Sequence, residues 1–175
     1  MNRGYHEIKE HGKREFPFNI YPCSIPVDFS HVALHWHEEM EIIAVKKGKG
    51  RITVDTVSYP VEEGDILAVF PGQLHAISCG NGERMEYENI IFRLSMLMGD
   101  NGDGCTVHFL KPLQEGQAKN PVLIQRNQPD HEVFGKVIQE LDRFSEIRGN
   151  GYQLAVKGQL FLFLYYAYGR CILFT

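Results

Sequence analysis

Apolar and polar residues alternate with a period of two between about Ser30 and Leu97. Because residues two apart share one face of a strand, this period predicts β-strands. Turn residues such as Lys47-Gly48, Pro71-Gly72 and Gly80-Asn81-Gly82 separate the segments. The segments are HVALHWH, MEIIAVKK, GRITVD, VSYPV, DILAVF, HAISC and MEYENIIFRL. Several short strands at this spacing are typical of an all-β sandwich or barrel.

The period changes to that of an α-helix after Pro129. Asp130 is a plausible N-cap of the first helix, and a second helix is predicted from about Gln153 to Tyr168. The apolar residues that recur at helical spacing in the first helix are Val133, Phe134, Val137, Ile138, Leu141 and Phe144. We therefore expect a mainly β protein, in which a barrel over about residues 16–97 is followed by two C-terminal helices packed on its outside.

The second helix is apolar nearly all round between Leu160 and Tyr168. A helix of this kind is stable when it is buried on every side. One face of a barrel covers only part of it, so we expect a second subunit to cover the rest. The pattern favours a homodimer formed through the C-terminal helices, although the barrel and the first helix together are the alternative cover.

Length and charge limit the class of protein. A chain of 175 residues with 43% hydrophobic residues is the size of one domain with a real core. A net charge of -4 is unlike that of a domain that grips nucleic acid by itself. The charged N-terminus is not a signal peptide, and LFLFLYYAY is too short to span a membrane. We expect a cytoplasmic protein with no membrane contact and with reduced thiols at Cys23, Cys79, Cys105 and Cys171.

The candidate site begins with two histidines on one strand. His35 and His37 share a face, and Trp36 takes the other. If the chain turns near Glu38-Glu39, Glu41 returns to the same face, and His75 follows the Pro71-Gly72 turn. Three imidazoles and one carboxylate inside a barrel suit Fe²⁺, Mn²⁺, Ni²⁺ or Zn²⁺.

Two motifs resemble those of the cupins. The pattern H-x-H-x₃-E-x₆-G in residues 35–48 is similar to the first cupin motif, and GDILAVFPGQLH resembles the second. The departures are Phe29 at the usual opening glycine, Gly72 directly after Pro71, and Cys79 where asparagine is frequent. The resemblance implies a double-stranded β-helix around a central pocket. It also implies His35, His37, Glu41 and His75 as the ligands of one divalent ion.

More narrowly, residues 29–97 are similar to the sensor domain of AraC-type transcription regulators. This resemblance implies a cupin barrel with an N-terminal arm in residues 1–110, and a linker with dimerisation helices in residues 111–175. In these regulators a helix-turn-helix domain follows the sensor domain, and we expect DNA to be bound only by such a domain outside these residues. The N-terminal arm, which includes KEHGKREFPFNIYP in residues 9–22, is a candidate lid over the pocket, or an extra edge strand.

The residues leave the role of the site open. The four residues are expected to bind a metal, to line a metal-free pocket that binds a small molecule, or to have a structural role only. Arg51 shares a strand face with Thr53, where it would clamp an anionic ligand or lie on a solvated face.

The leading hypothesis for function is a sensing and dimerisation domain that binds a small-molecule effector, such as a sugar, and does no covalent chemistry. The main alternative is a small metal-dependent cupin enzyme of the isomerase or dioxygenase type. A storage or interaction cupin without a ligand is the third possibility.

Overall fold

The computed structural model describes residues 5–100 and 102–170. Within them, two antiparallel sheets face each other and helices cover one of the sheets. The strands are β1 (Phe18–Ile25), β2 (Val32–His35), β3 (Met40–Val54), β4 (Val57–Glu62), β5 (Ile66–Val69), β6 (His75–Ser78), β7 (Met85–Phe92) and β8 (Val122–Ile124). The α-helices are α1 (Lys111–Gln114), α2 (His131–Ile147) and α3 (Tyr152–Tyr168). A 3₁₀ turn spans Leu94–Leu97, and a π-helical turn at Thr106–Leu110 leads into α1.

The two sheets share strand β3. Its first half pairs with β5 and β7 in a sheet of order β1-β7-β3-β5-β8, and its second half pairs with β4 and β6. Strand β2 extends the second sheet by pairing with β6. Two rolled antiparallel sheets of this kind form a double-stranded β-helix, so the predicted fold class is confirmed.

The predicted turn at Lys47-Gly48 is wrong, because β3 runs through it. A bulge shifts the register between Val45 and Lys47, and Gly48 adopts a φ of 78°. A Cβ at Gly48 would lie 2.1 Å from the carbonyl oxygen of Arg84, so this close approach requires glycine. The strand therefore bends from one sheet into the other instead of reversing.

The side chains form two separate cores. One lies between the sheets and contains Ile43, Val54 and Ile77. The other lies between the outer face of the first sheet and the helices, where Ile42 and Ala68 share a cluster with Phe134. Alternate residues of β3 therefore point into the barrel and towards the helices, as a period of two requires.

The helices begin and end close to their predicted limits. Residues Phe134, Val137, Ile138 and Leu141 of α2 are buried, as the helical spacing predicts. Asp130 stands at the N-cap position, but its side chain makes no capping hydrogen bond and instead accepts one from Arg170. None of the helices in residues 5–100 and 102–170 is long and apolar enough to cross a membrane.

Strand β1 pairs along its whole length with β7, so the end of the arm forms an edge strand, which was one of the two alternatives for the arm. Two other segments were not predicted. Strand β8 pairs with β5 inside the segment assigned to a linker. The turn at Thr106–Leu110 and α1 lie between β7 and β8. Cys23, Cys79 and Cys105 are free thiols, whereas Cys171 lies outside the described residues.

Candidate metal and ligand site

Three strand termini and one connection bring the predicted site residues together. His35, at the end of β2, pairs directly with His75, at the start of β6. Glu41 lies near the start of β3, and His37 lies in the connection before it. The imidazole centroids of His35 and His75 are 4.2 Å apart, and those of His37 and His75 are 5.0 Å apart. The polar cluster therefore closes one end of the apolar barrel core.

Backbone carbonyls orient all three imidazoles in the same way. The Nδ1 atoms of His35, His37 and His75 lie 2.9, 3.0 and 3.0 Å from the carbonyl oxygens of Ala33, Glu39 and Gln73. A carbonyl oxygen only accepts, so each Nδ1 must be the protonated donor. This leaves every Nε2 free to face the interior, the arrangement in which histidines bind metals.

The free nitrogen atoms converge on one carboxylate. The Oε2 atom of Glu41 lies 2.9 Å from Nε2 of His37 and 3.1 Å from Nε2 of His75. One ligand atom from each of His35, His37, Glu41 and His75 lies within 4.8 Å of all the others. Atoms about 2.0–2.2 Å from one ion are at most about 4.4 Å apart, so a slight contraction suffices for all four to reach it.

Without a metal, the contact between His37 and Glu41 needs an additional proton. Nδ1 of His37 already donates to a carbonyl, so a hydrogen bond from Nε2 requires the imidazolium form. Burial lowers the pKa of His37, but the hydrogen bond and charge of Glu41 outweigh burial and raise it above its ordinary value. Burial raises the pKa of Glu41, yet the neighbouring His75 and His37 hold it well below its ordinary range. A divalent ion would replace this proton.

His35 is the member of the cluster nearest to solvent. Its side chain is 19% exposed, whereas those of His37, Glu41 and His75 are at most 2% exposed. Burial and the adjacent His75 lower the pKa of His35, which favours the neutral imidazole that a ligand role requires.

Glu39 supports the site from the bend at residues 38–39, where the sequence predicted that the chain turns. Glu39 is 3% exposed, and its carboxylate accepts a 2.8 Å hydrogen bond from Nε of Arg93. Its own carbonyl oxygen holds Nδ1 of His37. Strand parity could have indicated this role of Glu39, because Glu39 lies two residues from both His37 and Glu41 and is therefore expected on the same face.

The structure does not bring Arg51 to this cluster. Ile52 and Val54 point into the barrel, so Arg51 lies on the outer face of β3, where it is exposed and donates to Ser58. Trp36 also points away from the cluster, as its parity predicts. It packs against the arm, where its ring stacks on His6 with centroids 4.2 Å apart, and not beneath a helix.

The arm lies across the open side of the cluster. The backbone N–H of Glu7 donates to the carbonyl oxygen of Trp36, and the N–H of Trp36 donates to that of Tyr5. Since His6 pairs with Trp36 and faces outward with it, Glu7 lies on the same side as His35 and His37. Its carboxylate is 3.7 Å from Nε2 of His35. Sequence reasoning missed Glu7, because no spacing rule relates it to the cupin motifs.

The profile of the AraC-like ligand binding domain family matches residues 26–164. This match covers most of the chain and includes the cluster, strands β2 to β8 and most of the helical part. The chain therefore belongs to the AraC-like ligand binding domain family.

A curated relative and two solved structures are also similar. The chain is 27% identical over 88 residues to an uncharacterized HTH-type transcriptional regulator, YdeC, from Bacillus subtilis (strain 168). That segment is 50% of this chain and 30% of the relative, so the chain spans less than a third of that regulator.

The solved structures are cupins. A cupin 2 conserved barrel domain protein from Salinispora arenicola is 22% identical with a TM-score of 0.41, covering 46% of this chain and 66% of that one. A predicted oxalate decarboxylase from Thermotoga maritima is 25% identical with a TM-score of 0.39, covering 42% and 64%.

Proposed function

We propose that this chain is the sensing domain of a transcription regulator, and that its effector binds at the cluster of His35, His37, Glu41 and His75. The observation that carries the proposal is a set of converging, buried ligand atoms at one end of a barrel that belongs to a ligand-binding family. The effector is a small polar molecule such as a sugar. The effector enters beside His35. The arm acts as a lid, which the effector displaces on entry or which closes over the bound effector.

A divalent ion fits the donor set. The three Nε2 atoms and the Glu41 carboxylate would hold Zn²⁺, Ni²⁺, Fe²⁺ or Mn²⁺, all of which accept imidazole and carboxylate ligands. The ion would supply a positive charge that binds an oxygen atom of the effector. The chain's own residues fix the imidazole orientation and exclude water from all but the His35 side. In a metal-free site the same groups would hydrogen-bond the effector directly.

The C-terminal helices would join two copies of the chain. Val156, Leu160 and Phe163 bury one side of α3, but Phe161 and Tyr165 on the other side remain 39% and 74% exposed. These exposed residues line a largely apolar groove of about 640 Å³ between α3 and the Thr106–Leu110 turn. Burial of this groove by a second copy favours a homodimer.

In this proposal residues 1–110 bind the effector and residues 111–175 transmit its presence. DNA would be bound by a helix-turn-helix domain outside these residues, which places the protein in the cytoplasm. Light scattering tests the dimer: Phe161→Glu should shift the chain towards a monomer, and Lys47→Glu, at an exposed position of β3, should not. A wild-type chain that is monomeric at micromolar concentration would contradict the dimer.

A metal-dependent cupin enzyme is the second candidate, and the exposed edge of His35 beside three buried ligands favours it. An isomerase or dioxygenase needs an ion with an open position towards solvent. The two functions differ in what happens to the bound molecule. A sensor releases it unchanged, whereas an enzyme converts it.

One experiment separates these functions. Purified chain, loaded with each of the four metals or left metal-free, is screened against a panel of sugars and other polar metabolites by thermal denaturation. Every stabilising compound is then incubated with the chain and analysed by mass spectrometry. We expect stabilisation of wild type, none of His75→Ala, and intact compound. Conversion of the compound would replace the sensor with the enzyme, and stabilisation of both proteins alike would remove the cluster from the binding site.

A further inference from the structure

The arm places an acidic side chain where a ligand of the cluster would bind. Backbone hydrogen bonds from Glu7 to Trp36 and from Trp36 to Tyr5 hold this part of the arm, and the Glu7 carboxylate faces the cluster. Its Oε2 atom lies 3.7 Å from Nε2 of His35 and 3.9 Å from Nε2 of His11. Both distances exceed that of a hydrogen bond, so the carboxylate lies between two imidazoles without satisfying either.

His11 is buried with an unsatisfied nitrogen atom. It is 5% exposed, and its Nδ1 lies 3.1 Å from the hydroxyl oxygen of Tyr21. Its Nε2 has no hydrogen-bond partner among the described residues. When Tyr21 donates to Nδ1, Nε2 carries the proton and needs an acceptor oxygen. A buried donor without an acceptor is rare in folded proteins and calls for an explanation such as an absent ligand.

His11 also borders the cluster from the arm side. Its ring centroid lies 6.2 Å from that of His37 and 5.5 Å from that of Tyr21. The region between His11 and His35 is thus lined by nitrogen atoms on both sides and is occupied by one carboxylate of the chain itself. An oxyanion can accept from Nε2 of His11 while its negative charge faces the cluster, and such a charge-assisted hydrogen bond is stronger than one to a neutral oxygen.

Charge favours the same class of ligand. A divalent ion with Glu41 as its one acidic ligand leaves a single positive charge, which Glu7 balances at close range. An incoming carboxylate that displaces Glu7 preserves that balance, whereas a neutral molecule leaves the charge uncompensated in a poorly solvated site.

We propose that the effector carries a carboxylate group that replaces the Glu7 carboxylate between His35 and His11. Glu7 then acts as an internal competitor of the effector, and His11 is a binding residue outside the cupin motifs. This inference rests on the proposed sensing function and narrows its effector from any small polar molecule to an acidic one.

The test is a titration of the zinc-loaded chain with acetate and with acetamide, its neutral isostere, followed through the side-chain nitrogen resonances of His11 and His35. We expect Glu7→Gln to bind acetate at least tenfold more tightly than wild type, because the competitor has lost its charge. Acetamide should bind weakly and equally to both. Glu10→Gln, an exposed carboxylate on the same arm, is the matched control and should behave as wild type.

His11 is tested in the same background. Adding His11→Phe to Glu7→Gln should lower acetate affinity again by about tenfold, because the donor from Nε2 is lost. Fluorescence of Trp36, the single tryptophan of the chain, reports whether the arm remains docked on His6 in each variant. A variant with an altered Trp36 signal is replaced by Glu7→Asp, in which the shorter carboxylate should also raise acetate affinity.

The outcomes separate this inference from the proposed function. If wild type and Glu7→Gln bind acetate equally, or if acetamide or a neutral sugar binds as tightly as acetate, the inference is overturned while the sensing function stands. If elemental analysis finds no metal, the same titration is made on the metal-free chain, and acetate must still shift His11 and His35 more readily in Glu7→Gln. Its failure to do so would refute the inference in that case too.

Discussion

Metal binding should stabilise the wild-type chain by an amount that depends on His37 and His75. Both side chains are buried, and both direct Nε2 at Oε2 of Glu41. A ligand present at about 100 times its Kd stabilises the folded state by about 2.7 kcal/mol. For a chain of this length each kcal/mol raises Tm by about 2–4 °C, so the metal should raise Tm by about 5–11 °C.

The same shift should nearly vanish in His37→Ala and in His75→Ala. Removal of a group that hydrogen-bonds to a metal-binding side chain weakens metal affinity about 10–100-fold. Removal of the metal-binding side chain itself should weaken metal affinity at least as much. A 100-fold loss leaves the metal near its Kd, where it contributes about 0.4 kcal/mol, or about 1–2 °C. Because each variant is compared with its own metal-free form, the cost of truncating a buried histidine cancels.

The assay is differential scanning calorimetry of the chain with and without Zn²⁺, Ni²⁺, Fe²⁺ or Mn²⁺, together with elemental analysis after dialysis. His31→Ala is the matched control, since His31 is exposed and its Nδ1 lies 3.0 Å from the hydroxyl oxygen of the neighbouring Ser30, away from the cluster. The control should keep the full shift. The reasoning is refuted if both cluster variants keep the wild-type shift, or if no metal stabilises the wild type, in which case the cluster lines a metal-free pocket.

Three further outcomes follow from individual residues. Metal occupancy should fall as pH falls, because the metal must displace a proton from Nε2 of His37. Glu41 raises the pKa of His37 above its ordinary value of about 6.5, so the fall should begin above pH 6.5. Occupancy that is constant between pH 8 and pH 5 in a folded chain would contradict this. Phe134→Ala should lower the free energy of unfolding by about 3–5 kcal/mol, because Phe134 is fully buried against Phe163, and urea denaturation measures the change. Arg51→Ala should leave effector and metal affinity unchanged, since Arg51 lies on the outer face of β3; a weakened affinity in a calorimetric titration would return it to the site.

Much of the fold, and the position of His35 and His37 on one face, follow from the sequence because both depend on local periodicity. The cupin resemblance, and not periodicity, predicted that Glu41 and His75 lie beside them. Alternation assigns Ile43 and Val54 to one face of β3 and Ile42 to the other, whatever the rest of the chain does. The same parity places His35 and His37 together and sends Trp36 away. Helical spacing likewise predicts the buried face of α2. These features require no knowledge of which strands pair.

Only the tertiary structure decides what depends on contacts between distant segments. The sequence predicted a turn at Lys47-Gly48, but β3 pairs with β7 on both sides of this position and contains a bulge there. Parity places Arg51 and Thr53 on the same face of β3 but does not say whether that face points into the barrel. Ile52 and Val54 point inward in the structure, so Arg51 points outward. Glu7 reaches His35 through backbone pairing across 28 residues, and no periodicity encodes that contact. The sequence determines which faces are apolar, whereas the direction in which a polar side chain meets its partner is set by long-range pairing.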